Sequence, residues 1–312
     1  MSGNDQPLVV VGIDGTPAAE TAIRYAVQEA GRLGAALRLV HVCPDYAPTT
    51  PMLPLIRDDF QQVADRILRQ GASLARELAP GCRVGTERRT GPTVPTLLAL
   101  ADGATLLVLG RDHHTRWGSV FTGSASTGVA GRAACPVVSV PREWAGPERG
   151  QVAVGVRSAS TAEPLLELGF AAAESRGARL LVVRAWQLPG AYDDVVAARS
   201  HPGARAREIE EQLDPLFEQH RARHPSVPVE LLVIHQQPAH ALLRVGAGSD
   251  LLLVLRAAHG VPFLAHLGGT GRTVLHQARC PVEVVPPLEV LARVRVGESA
   301  RGREPEPRAS TL

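Results

Sequence analysis

The chain has 312 residues, 45% of them apolar and 21% charged, a size and balance suited to two domains with real cores. Its formal charge of +2, with no long basic run outside the tail, does not indicate a nucleic-acid partner. All 33 cationic side chains are Arg, which excludes a P-loop lysine and Schiff-base chemistry on lysine.

In chain order, residues 8–13 form a short Val-rich run that predicts a strand. Thr16 offers an N-cap and Pro17 the first position of a helix, in which Ile23, Ala26, Val27 and Ala30 share one face. Residues 37–42 predict a second strand, 56–79 a long amphipathic helix and 84–88 a weaker third strand. A helix over 93–101, a strand over 105–109, a helix over 124–134 and a strand over 137–140 follow. Strands alternating with helices in this way predict right-handed crossovers and a doubly wound parallel sheet. Scarce aromatics, at 4%, suit strands buried under helices and built from Val, Leu, Ile and Ala. Such sheets bind ligands at the carboxyl ends of strands where the winding direction switches, here near Asp14, Val42 and Gly110.

The second half repeats the first. The segment VVVGIDGTPAAETAIRYAVQEAGRLGAALRLVHV returns as VAVGVRSASTAEPLLELGFAAAESRGARLLVVRA, and GRAACPVVSVP returns as LHQARCPVEVVP. Gly12 aligns with Gly155, Gly34 with Gly177 and Cys135 with Cys280, at offsets of 143 residues early and 145 late. The expectation is an α/β protein of two tandem doubly wound five-stranded parallel sheets, over 1–143 and 150–287, joined by the linker PREWAGPERG. The polar, Pro-rich segment 288–312 is expected to be disordered. Residues 137–140 and 282–285 could pair within one molecule as an internal pseudo-dimer, with Glu283 putting a charge into the second run. Homodimerisation of the tandem chain is a further option. Cys43, Cys82, Cys135 and Cys280 show no CxxC or zinc spacing and are expected to be buried, reduced thiols. With no leader-like stretch and no apolar run near the length of a membrane span, a cytoplasmic protein without a membrane partner is expected.

The chemistry concentrates in GRDHHTRWGSVFTGSAS, residues 110–126. Gly110 directly follows a buried strand, where the absence of a Cβ lets backbone approach a ligand. Gly123 and Ser124 open a helix whose amides and hydroxyl suit an anion; a tight turn with an ordinary N-cap is the plainer alternative. Asp14 ends the first strand, where its carboxylate could accept hydrogen bonds from adenine or ribose, help hold Mg²⁺, or simply close an Asx-turn. No Gly-x-Ser-x-Gly elbow, HExxH or paired catalytic carboxylate appears, so hydrolysis has no candidate nucleophile. His113 and His114 are adjacent and diverge, His41 is expected to be structural, and His235, His240 and His259 lack a carboxylate pattern for metal binding.

From residue 8 to residue 286 both halves resemble universal stress protein domains, and the whole resembles the tandem form found in high-GC actinobacteria, an adenine nucleotide alpha-hydrolase-like fold. The nucleotide-binding members of that family carry a glycine, two residues, a second glycine, nine residues, then glycine and Ser or Thr. Gly110, Gly123 and Ser124 match three of these positions, and His113 replaces the second glycine. By the same resemblance Gly12 and Asp14 fall on first-strand positions, Gly15 on the turn, Val42 on the adenine-contacting strand end and Arg116 on the loop over the phosphates. The resemblance implies ATP or a related adenine nucleotide in the first domain, with Mg²⁺ as an option, and a non-catalytic stress-response regulator. A nucleotide-silent interaction module is the alternative; a slow ATPase lacks a residue placed to activate water. In the second half Arg157 stands where Asp14 stands, and Arg256 aligns with Gly110 before a loop one residue shorter, with Gly268 or Gly269 against Gly123. That site is expected to be degenerate, its crevice filled by arginines, unless Arg157 or Arg256 pairs with a phosphate.

Overall fold

The computed structural model describes residues 6–43, 57–112, 122–188, 190–200, 203–256, 267–287 and 290. The alternating pattern of the first half resolves into β1 (Leu8–Gly12), α1 (Pro17–Leu33), β2 (Ala36–Cys43), α2 (Arg57–Leu78), β3 (Val84–Thr90), α3 (Thr93–Ala101), β4 (Leu106–Arg111), α4 (Thr122–Ala130) and β5 (Val137–Pro141). The second gives β6 (Gln151–Gly155), α5 (Ala159–Glu174), β7 (Arg179–Trp186), α6 (Ala191–Ser200), α7 (Ala204–Arg223), β8 (Val229–His235), α8 (Pro238–Gly246), β9 (Leu251–Leu255), α9 (Gly269–Gln277) and β10 (Val282–Val285). The second half thus places two helices, α6 and α7, between β7 and β8, where the described residues of the first half show α2 alone.

Ten strands form one sheet in the order β3-β2-β1-β4-β5-β10-β9-β6-β7-β8. Each half is a five-stranded parallel sheet whose winding reverses at β1/β4 or β6/β9. Apolar runs buried on both faces explain why these strands carry so little polar alternation: Val9, Val10 and Val11 are all fully buried. One core layer packs α1, α2, α5 and α7 against the sheet. The other packs α3, α4, α8 and α9. The linker is pinned rather than loose, since Asp250 Oδ1 accepts from the amides of Glu148 at 2.8 Å and Arg149 at 2.9 Å.

The first turn of α1 lies directly on β4, and a glycine permits it. A Cβ on Gly110 would stand 2.3 Å from the carbonyl oxygen of Ala18 and 2.9 Å from the Ala19 amide nitrogen, both backbone atoms that cannot swing away. Gly110 is therefore required by helix-on-strand packing before any ligand is considered.

The halves meet where β10 pairs antiparallel with β5, so the expected internal pseudo-dimer is present. Val138 and Glu283, equivalent at the 145-residue offset, face each other and mark the pseudo-twofold axis. On one face of this seam Arg176 reaches Glu29 Oε1 at 2.5 Å and the Tyr25 hydroxyl at 3.4 Å, with Arg32 holding the same Glu29 oxygen at 2.6 Å. On the other face the arginines cross reciprocally. Arg111 donates to the carbonyls of Leu275 and Ala278, the latter at 2.6 Å, and Arg256 donates to those of Ala130 at 3.3 Å and Ala133 at 2.7 Å. Each cation thus satisfies orphan carbonyls at the C-terminal end of the other half's last helix, where the macrodipole is negative.

This reciprocity corrects the alignment of Arg256 with Gly110. Arg256 is the equivalent of Arg111, both 145 residues apart as are their carbonyl partners, so Leu255 occupies the Gly110 position. The connecting loops are then equal in length, with Gly268 against Gly123 and Gly269 against Ser124. Burial lowers the Arg111 guanidinium to about 10, which leaves it charged at neutral pH. Cys135 and Cys280 lie buried beside this crossing, and burial pushes both thiols up to about 12, so they remain protonated and unreactive.

Two outcomes are expected from this packing. Gly110→Ala should destabilise the chain by about 1–3 kcal/mol in urea unfolding, the cost of overpacking against rigid backbone; an unchanged midpoint would show that α1 can shift. The carboxyl of Glu283 is pushed up to about 7 by burial and by the neighbouring Glu29, against the opposing pull of Arg176. Because the folded value lies above the unfolded one, the native state binds the extra proton, and stability falls as pH rises from about 4.5 through 7. Glu283→Gln should remove up to about 3 kcal/mol of that fall, so that its melting temperature exceeds the parent's at pH 8 and converges with it at pH 5.

Candidate functional site

At the first winding reversal the carboxyl ends of β1, β2 and β4 open into a cavity of about 330 Å³, at the lower end of the size of small-molecule sites. The structure brings Gly12, Asp14, Val42 and Gly110 together in its lining. Gly12 lets Leu109 pack close, since a Cβ there would stand 2.6 Å from Leu109 Cδ2. Asp14 Oδ1 accepts from the Thr16 amide at 3.0 Å and the Thr16 hydroxyl at 2.6 Å. The Asx-turn reading of Asp14 is therefore present, with both bonds on Oδ1 and none among the described residues on Oδ2. Thr16 Oγ1 in turn caps α1 by accepting from the Ala19 amide at 3.3 Å. Gly15 lies outside the lining; its φ of +81° carries the turn, and Ile67 packs where its Cβ would be.

Gly123 and Ser124 stand in the first turn of α4, and the next two residues, Ala125 and Ser126, line the cavity. His113 and Arg116 lie outside the described residues, as do the remaining residues of 113–121.

Several lining residues were not assigned to the site from sequence, among them His41, expected only to be structural. His41 reaches the cavity and its Nδ1 lies 2.8 Å from the Ile13 carbonyl, tying β2 to the end of β1. Val63 and Ile67 of α2, with Leu97 of α3, supply apolar walls, and Val63 remains 48% exposed at the mouth. A polar residue breaking the apolar β2 run beside Val42 is the signal that marks His41. Nothing in the periodicity of α2 separates Val63 from an ordinary core position.

The second winding reversal also holds a cavity, of about 400 Å³. This overturns the expectation that arginines fill it. Arg256 borders the space, yet its guanidinium is engaged across the seam with Ala130 and Ala133. Arg157 and Arg184 line the cavity at the positions of Asp14 and His41, respectively, given the 143-residue offset of β6 and β7 from β1 and β2. Burial, then repulsion from Arg205 and Arg157, lowers Arg184 from its ordinary range. No cluster of three or more His, Cys, Asp or Glu suited to a metal ion occurs among the described residues, and no described helix is long and apolar enough to cross a membrane.

The universal stress protein family model matches residues 8–141 and again 148–286. A universal stress protein of Mycobacterium tuberculosis is 30% identical over 297 residues, covering 91% of this chain and 97% of the relative. The crystal structure of a universal stress protein from Archaeoglobus fulgidus superposes with a TM-score of 0.64 at 16% identity, over 89% of this chain and 96% of that one. A putative universal stress protein from Pseudomonas aeruginosa gives 0.59 at 18% identity, over 94% and 97%. With the family pattern matched once in each half and the architecture shared along nearly the whole length, the chain belongs to the universal stress protein family as a tandem, two-domain member.

Proposed function

We propose that the first domain, within residues 1–143, binds ATP or a related adenine nucleotide and that the chain acts as a stress-response regulator without turning the ligand over. The observation that carries this reading is the cavity at the β1/β4 reversal. Apolar walls from Val42, Leu97 and Ile67 meet a carboxylate, Asp14, and the N-terminal turn of α4 in one space. A flat apolar slot suits a purine ring, the second carboxylate oxygen suits a ribose hydroxyl, and a helix N-terminus suits phosphate. The residues present fit such a ligand: the cavity brings a carboxylate, apolar walls and a helix N-terminus into one space. Asp14 is the only carboxylate in the described lining, so Mg²⁺ would enter with the phosphates and not as a resident ion.

What the chain's own residues do here is bind and orient. His41 holds β2 against the end of β1, which sets the position of the Val42 backbone. Thr16 fixes one oxygen of Asp14 and thereby aims the other.

Calorimetric titration with ATP tests the reading. Asp14→Ala should weaken binding about tenfold, the loss of one hydrogen bond to a charged acceptor. Thr16→Val, which removes the bonds of the Thr16 hydroxyl but keeps its amide bond to the Asp14 carboxylate, should weaken it far less. Equal losses in both variants would mean that the turn, and not the carboxylate, matters; no heat in the parent protein would remove the nucleotide reading.

A further inference from the structure

We propose that the second crevice is a separate site for a small phosphate-bearing anion, held by Arg157 and Arg184 without the contacts that would select adenosine. The inference stands apart from the reading of the first crevice and rests on what the duplication has exchanged. Where the first cavity presents Asp14 and His41, the second presents two guanidinium groups, so an acceptor of hydrogen bonds has become a donor. Ribose hydroxyls lose their carboxylate partner. Oxyanions gain planar, forked donors.

The cavity has persisted despite this change. At about 400 Å³ it is no smaller than the first, and its described lining contains no Asp or Glu. Neither Arg157 nor Arg184 has an acidic partner among the described residues, and Arg184, half-buried beside two other arginines, donates only to the neighbouring Ala185 carbonyl among the described residues. The exposed Arg157 and the half-buried Arg184 present like charge to one space, and an anion entering it relieves their repulsion.

The helix ends point to the same ligand. Gly268, the N-cap of α9, has no side chain to cap with, and no described atom stands within 4 Å of a Cβ built on Gly268 or Gly269, both of which line the cavity. Among the described residues these glycines answer no packing demand, and neither has a left-handed backbone, so their effect is to bare the first-turn amides. Ser158, the N-cap of α5, likewise makes no side-chain cap, and Ser160 and Thr161 of that first turn line the same space. In the first half Thr16 caps the equivalent end and Asp14 supplies its negative charge. In the second, Arg157 adds a positive charge to an uncapped N-terminus, an arrangement that a bound anion reverses.

The probe is inorganic pyrophosphate, titrated calorimetrically into the intact chain. The comparison variant is Arg157→Asp/Arg184→His, which installs the first-half residues. The parent should bind one pyrophosphate that adenosine does not displace, and the variant should bind it about tenfold or more weakly. ATP affinity at the first crevice should be the same in both proteins, and the variant should melt no lower than the parent, because it relieves repulsion. Pyrophosphate that fails to bind, binds both proteins equally, or is displaced by adenosine overturns the proposal. Absence of ATP binding in the parent would instead overturn the first-crevice reading and leave this one standing.

Discussion

The antiparallel junction of β5 with β10 is the constraint on which the molecule depends. It converts two open five-stranded sheets, each with an exposed final edge, into one sheet of ten strands. An unpaired edge of that kind is a template for unwanted association, and pairing it internally removes the hazard. The junction is also chemically handed. Arg176 lies opposite Glu29, whereas the symmetric counterparts at the 143-residue offset, Leu33 and Ala172, could form no such pair. Two second halves meeting in the same way would place one Glu283 against another on the axis. Like charge there, in a position where burial already raises the carboxyl, opposes self-pairing.

The same junction locks the helices that border the two cavities. Arg111, one residue beyond Gly110, holds the C-terminal carbonyls of α9, and Arg256 holds those of α4. The N-terminal ends of these helices border the second and first cavities, respectively. Each crevice is therefore built partly on a helix whose far end is fastened to the other half.

Much of this was legible in the sequence, because buried parallel strands and amphipathic helices leave strong periodic traces. The strand over 282–285 and the helix over 93–101 lie where the apolar runs place them. Asp14, Val42 and Gly110 could be brought together because the fold's winding reversal is fixed by strand order. The register of the second half was not legible. Arg256 beside an apolar strand invites alignment with the nearest strand-end residue, and only its carbonyl partners on α4 show that it matches Arg111. The role of Gly110 was legible as a need for no Cβ, but the neighbour demanding it is the Ala18 backbone, which no spacing rule identifies. Val63 and His41 were missed for a similar reason, since lining a cavity depends on where an element ends and not on its period.

On the proposed reading one duplicated chassis carries two crevices of opposite chemistry, with an adenine nucleotide site in the first alone. Native mass spectrometry of the intact chain with a small excess of ATP tests this most directly. The account predicts a single nucleotide per chain, lost when Val42→Trp blocks the first cavity and retained when Arg157→Asp alters the second. Two nucleotides of equal affinity per chain, or one that survives Val42→Trp, would contradict it.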